Sequence, residues 1–178
     1  MVLAGTMFFT SCLNEDNSTP GANTQCIKIV FKAEQSMSVK GAASDEENQV
    51  KSIDVYVFDK TSGKLEAMET DIQPSQPVVV NGAARVGEIT LQVGTGQKQV
   101  LALANTTDNS TVLPAIQIGT TTYSDMLKSV TKLNGNSQPA TPFIMSGMSI
   151  DADITASEIP VTLERKVAKF NIVNTSAG

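Results

Sequence analysis

Between Cys26 and Ala33 the apolar residues take every second position: Ile27, Ile29, Phe31 and Ala33 alternate with Lys28 and Lys32. A period of two predicts a half-buried strand. "KSIDVYVFD" sets Ile53, Val55 and Val57 against Asp54, Tyr56 and Phe58 before turning at "KTSGK". Both of its faces are substantially apolar, so it reads as a central strand. "PVVV" at 77–80 is a short apolar run, and "NGAARVGEITLQV" offers an Asn-Gly turn followed by alternating Ile89, Leu91 and Val93. "GTGQK" is expected to close a hairpin onto "QVLALAN", whose unbroken apolar run predicts burial on both faces. In "IPVTLERKVAKFNIV" the inward set is Val161 and Leu163, then Ala168, Phe170 and Ile172, so the parity switches near Arg165. A bulge or bend there would carry the strand from one sheet to another.

A single segment has helical spacing. In "TTYSDMLKSVTKLNG" the stripe is Tyr123, Met126, Leu127, Val130 and Leu133; Thr122 can cap with Asp125 three residues on, and Gly135 stops it. Short strands with turn signals between them and one short helix near 122–134 predict a mainly β protein, an Ig-like antiparallel β-sandwich of about seven strands. The polar stretch from Glu34 to Val50 is long for a connection, and such loops are usually functional or disordered.

The N-terminus has a different texture. Residues 1–11 are uncharged and mostly apolar, too short to span a bilayer and of the length of a signal-peptide core. A bacterial lipoprotein signal ends in small residues before a cysteine that is acylated and becomes the new N-terminus; Thr10, Ser11 and Cys12 fit that rule. Residues 12–25, with Glu15, Asp16, Pro20 and Gly21, have nothing apolar to bury and form a tether. Lipid on Cys12 would leave Cys26 as a lone buried thiol; a Cys12–Cys26 bridge is the alternative use of the pair. The remaining stretch, 26–178, is one domain by size.

Composition removes several functions. The net charge is −5 and the 13 Lys and Arg residues are scattered, which argues against nucleic acid as a partner. There is no His, so the commonest general base and metal ligand are both missing. Gly94, Gly96 and Lys98 lack the spacing of a phosphate loop. Ser129 and Lys132 have the spacing of penicillin-recognising acyltransferases without the companion motifs. Asp151, Asp153 and Thr155 open like a calcium loop, but Ala156 stands where Gly is needed and Thr162 where a bidentate Glu belongs, so a solvated loop is expected. Asp45, Glu46 and Glu47 read as hydrated acids. No nucleophile, base and oxyanion donor assemble, so no enzyme, no metal and no cofactor are expected.

"SIDVYVFDKTSGKL", "VLALANT", "FIMSG" and "VTLERKVAKFNI", in this order behind a lipoprotein-like "SC", resemble the N-terminal half of the fimbrillins, the FimA- and Mfa-like pilus subunits of Bacteroidetes-type bacteria. The resemblance implies a transthyretin-like sandwich at 26–178, a C-terminal domain that this chain lacks, and a lipid-modified Cys12 at the outer membrane. It also implies proteolysis in the loop after the first strand, where Lys40 and Gly41 occupy the matching place. Strand exchange with other fimbrial subunits would follow, in a groove that had held Ile27, Ile29 and Phe31. An uncut subunit would keep its first strand and its lipid and suit an anchor. The expected role is a surface-exposed fimbrial subunit or anchor that supports adhesion to a host or bacterial surface receptor. A monomeric surface lipoprotein module recognising a glycan or host protein is the alternative.

Overall fold

The computed structural model describes residues 24–34, 45–74, 78–79, 84–107, 111–128, 130–131 and 141–165. Strands dominate: β1 (Thr24–Glu34), β2 (Gln49–Val50), β3 (Ile53–Asp59), β4 (Leu65–Ile72), β5 (Val78–Val79), β6 (Ala84–Gly94), β7 (Lys98–Ala104), β8 (Thr111–Val112), β9 (Val130–Thr131), β10 (Met145–Ala152) and β11 (Ile159–Arg165). The helix α1 (Tyr123–Met126) lies between β8 and β9. Seven strands form the main sheet in the order β4-β3-β7-β10-β11-β1-β6, while β2-β5 and β8-β9 make two-stranded ribbons. The sheet curls until its two outer strands approach each other, with Gly94 of β6 against the Glu66 carboxylate of β4. The result is a nearly closed, sandwich-like β fold. All its pairings are antiparallel except β1 with β11, which run parallel.

The alternation read from the sequence builds the interior. Ile27, Ile29, Phe31 and Ala33 of β1 meet Val55 and Val57 of β3, Val100 and Ala102 of β7, and Val161 and Leu163 of β11 in one buried cluster. Strands β3 and β7 bury both faces, as their doubly apolar patterns require. Their other face carries Tyr56, Phe58, Leu101 and Leu103, which pack with Leu65 and Met126 in a second cluster. Tyr123 of α1 meets Phe58 edge-on there, ring centroids 5.5 Å apart.

Several expectations are corrected. β6 and β7 are not a hairpin: among the described residues β6 pairs only with β1, while β7 lies between β3 and β10. "GTGQK" therefore links distant strands, with Gly96 at φ 98° making the turn. The segment Leu65–Ile72 is a full strand of the main sheet, although its sequence was not read as one. The helix starts as predicted, with Thr122 and Asp125 forming a reciprocal capping box, but ends at Met126. Leu127 is 55% exposed, so this member of the predicted apolar stripe is not buried. Val130 and Thr131 pair as β9 instead, in keeping with their β-branched side chains. Leu133, Gly135 and the parity switch beyond Arg165 lie outside the described residues.

Two residues hold the ends of the strands together. Asn105, at φ 60° just past β7, is fully buried. Its side chain accepts from the Lys51 N–H at 3.0 Å and donates to the carbonyls of Gln49 at 2.9 Å and Phe143 at 2.8 Å. Asparagine suits this place because it tolerates the left-handed region and offers both donor and acceptor. Gly147 sits where β10 passes over β11, and a β-carbon there would collide with the Thr162 carbonyl and the Val161 side chain. This gives the glycine of "FIMSG" a physical reason. Gly147→Ala should push the two strands apart and lower stability by about 3 kcal/mol or prevent folding; urea denaturation of the purified variant measures it, and an unchanged midpoint would mean that the strands can separate freely.

Candidate functional site

The candidate site is β1 with the strands that hold it. β1 is not at an edge of the sheet. It pairs in parallel with β11 from Ile29↔Ile159 to Glu34↔Glu164, and antiparallel with β6 from Thr24↔Gly94 to Ala33↔Ala84. A register shift falls between Phe31 and Lys32, where β6 carries one extra residue. Ile27, Ile29 and Phe31 all point into the main core, and Phe31 is fully buried. At about 1.5–3 kcal/mol for each fully buried side chain, these three supply a large part of what holds the strand.

The chain after β1 returns to the described residues at a turn spanning 45–48. Lys40 and Gly41 lie outside them. The turn is pinned. Glu47 and Asn48 are buried, which corrects the expectation of a hydrated acid at Glu47, while Asp45 and Glu46 are exposed as expected. The Glu47 carbonyl accepts from the Phe143 N–H at 3.1 Å, and Asn48 Oδ1 accepts from Arg165 Nη1 at 3.2 Å. The same guanidinium lies 5.5 Å from the centre of the Phe143 ring, within cation–π range. The loop between β1 and this turn thus ends on a fixed post at the C-terminal end of β11.

The start of β1 is tied by side-chain hydrogen bonds. Gln25 Nε2 donates to the Ile154 carbonyl at 2.9 Å, and Gln92 Nε2 to Thr24 Oγ1 at 3.0 Å. Cys26 is exposed and disulfide-bonded, not the lone buried thiol expected. Cys12 lies outside the described residues.

A charge cluster covers the outer surface of the three strands. Lys28 Nζ of β1 lies 3.3 Å from Glu88 Oε2 on β6 and 3.1 Å from Glu158 Oε1, the residue before β11. Arg85 of β6 pairs with Glu88 and stands 3.7 Å from Glu158. Hydrogen bonds that Lys28 donates to Glu158 and Glu88 raise its pKa, while Arg85 and then Lys28 lower that of Glu88. Sequence reading did not find this cluster, because its members come together only through pairing of distant strands.

The other singled-out residues have structural tasks. Lys98 is wholly buried; its ammonium lies 2.8 Å from Glu66 Oε2 and 3.6 Å from Asp59 Oδ2 and donates to the Thr95 carbonyl at 3.1 Å. It ties the start of β7 to β3 and β4. Asp153 Oδ1 accepts from the N–H and hydroxyl of Thr155, at 2.9 and 2.7 Å, and Asp151 pairs with Lys60. Among the described residues no group of three acids or cysteines is placed to hold a metal ion. Ser129 and Lys132 lie outside them.

The family model described as major fimbrial subunit protein (FimA) matches residues 27–172, and the chain belongs to that family. It is a family of structural fimbrial proteins, not of enzymes. No curated protein sequence matches the chain. Among solved structures, a fimbrial assembly protein from Parabacteroides distasonis shares 19% identity at a TM-score of 0.50, over 80% of this chain and 52% of that one. The tip fimbrial protein Mfa3 of Porphyromonas gingivalis shares 20% identity at a TM-score of 0.47, over 79% and 48%. The fimbrial anchor protein Mfa2 of Porphyromonas gingivalis shares 16% at 0.48, over 79% and 50%. The chain spans about half the length of these proteins.

Lys98→Ala should cost about 2 kcal/mol: stranding a fully buried charge costs about 3–5, and here Glu66 and Asp59 keep some access to water. Chemical denaturation would show the loss, and an undiminished midpoint would show that the pairs only balance their desolvation. Acid should act through the same corner. The Ser62 backbone and hydroxyl, and then Lys98, hold the Asp59 carboxyl below its ordinary 3.8. Its stabilisation is complete above 3.8 and falls away as pH drops through the lower folded value. An Asp59→Asn variant should therefore lose less stability than the parent between neutral and strongly acid pH.

Proposed function

We propose that this chain is a structural subunit or anchor of a cell-surface fimbria, assembled when β1 leaves its place and a strand from another subunit takes it. The observation that carries the reading is the position of β1. Its departure would expose a groove lined by the pocket of Ile27, Ile29 and Phe31, with unpaired backbone on β11 along one wall and on β6 along the other. An incoming strand of the same alternation gains both ladders and the pocket, as in strand-addition complexes. Membership of the fimbrial family supports the assignment and a location in a surface fimbrium. A cut after Lys40 would free β1 from the pinned turn at 45–48 without disturbing that turn. Adhesion to a surface receptor is the service such a filament performs.

The export route we infer is that of a lipoprotein, with Cys12 as the acylated residue and the outer membrane as its support; stable anchoring takes more than one acyl chain. Against this foot stands the disulfide at Cys26, because the chain has two cysteines and a sulfur in a thioether cannot also form a bridge. Intact-mass analysis of protein from native membranes decides: a mature start at acylated Cys12 with a free Cys26 thiol supports the anchor, and an unmodified Cys12 in a bridge removes it.

Assembly is tested with a lysine-specific protease on the full chain, the cuts being mapped by mass spectrometry. Cleavage after Lys40 should release residues up to Lys40 and yield fibres visible by electron microscopy, whereas Lys40→Ala protein should stay monomeric under the same treatment. Clean cleavage that leaves a monomer would overturn the subunit reading in favour of a monomeric module that binds a glycan or host protein.

A further inference from the structure

The cluster around Lys28 sits on the surface that an exchanged strand would have to cover. Resting on the strand-exchange reading above, we infer that Glu88, Glu158 and Arg85 select the incoming strand: they fit a donor that carries a basic residue at the place of Lys28, between inward apolar residues at the places of Ile27 and Ile29. With β1 in position, two acids and two bases alternate across β6, β1 and the residue before β11. Once β1 has gone, two carboxylates face one guanidinium, so the rim of the groove is acidic at this point. A donor with Lys or Arg there restores the balance. A donor with Asp or Glu sets three acids side by side, and like charges across strands destabilise pairing.

The demand is confined to one position. Lys32, the next outward base of β1, stands opposite Arg85 in the β6 register, and no ion pair of Lys32 occurs among the described residues. A base at that place gains nothing from its neighbour. The selected donor is therefore a strand with alternating apolar positions and a base at the first outward place between them, belonging to a second polypeptide.

Synthetic peptides test this against the full chain cut after Lys40. The parent peptide is residues 24–34 with Cys26→Ser, and two variants carry Lys28→Glu or Lys32→Glu, which have equal net charge. Binding is followed by fluorescence anisotropy of labelled peptide at low salt and at about 1 M salt, where the Debye length shrinks to about 3 Å. The Lys28→Glu peptide should bind about tenfold more weakly than the parent at low salt, the difference shrinking at high salt, while Lys32→Glu binds at least as well as the parent. A Glu88→Lys chain should restore binding of the Lys28→Glu peptide; the peptide comparison on the unsubstituted chain stands even if that variant does not fold. Equal binding of all three peptides, or equal weakening by both reversals, would overturn the selection rule and leave strand exchange intact. If no peptide binds the cut chain, the strand-exchange reading itself fails, and the rule with it.

Discussion

Hydrogen bonding to β1 is what connects β6 to the rest of the sheet. Among the described residues β6 has no other strand partner, and β11 pairs with β10 at Met145↔Arg165 and Ser146↔Glu164. β1 therefore closes the fold between an early strand and the last described one, and its ladders span most of the chain. Its apolar residues sit at the centre of the main core, so the same strand supplies both the side-chain filling and the backbone closure. Such non-local pairing is slow to form and costly to break, because loop closure must precede the contacts that reward it.

That dependence shapes what exchange would require. A subunit that lost β1 with nothing in its place would expose an apolar groove and two unpaired edges, the combination that leads to unspecific aggregation. Exchange that overlaps release, in which the arriving strand occupies vacated positions as β1 peels away, avoids that state. The solvated rim at Lys28 is where such replacement would meet least resistance, whereas Phe31 and Ala33 are fully buried.

What was legible in the sequence follows from locality. Period-two alternation marks β1, β3 and β6, an unbroken apolar run marks β7, and the cap at Thr122 and Asp125 marks the start of α1, because these signals are contained within a few residues. β4 escaped notice because its second half, around Glu69, Thr70 and Asp71, is exposed and polar, and because Leu, Glu, Ala and Met favour helix as readily as strand. The hairpin expected at "GTGQK" failed for a different reason: a tight turn signal fixes the reversal of the chain, but which strands pair is decided by burial elsewhere. The parallel seam, the burial of Lys98 and Glu47 and the cluster at Lys28 all depend on residues far apart in sequence, and no local pattern announces them.

The buried Lys98 and the exposed Lys28 show how the same pairing can have opposite consequences. Lys98 is enclosed at the point where the sheet nearly closes, and its partners on β3 and β4 cannot leave without dismantling the fold; its charge is fixed architecture. Lys28 bridges the strands at the one seam whose middle member is proposed to be replaceable, in contact with water, where ion pairs add little to stability but still discriminate between partners. Electrostatics placed at the rim of a groove can therefore bias which strand enters without making the resident strand too stable to release. A strong apolar pocket with a weak, position-specific charge contact above it is the division of labour that a reversible but selective strand site requires.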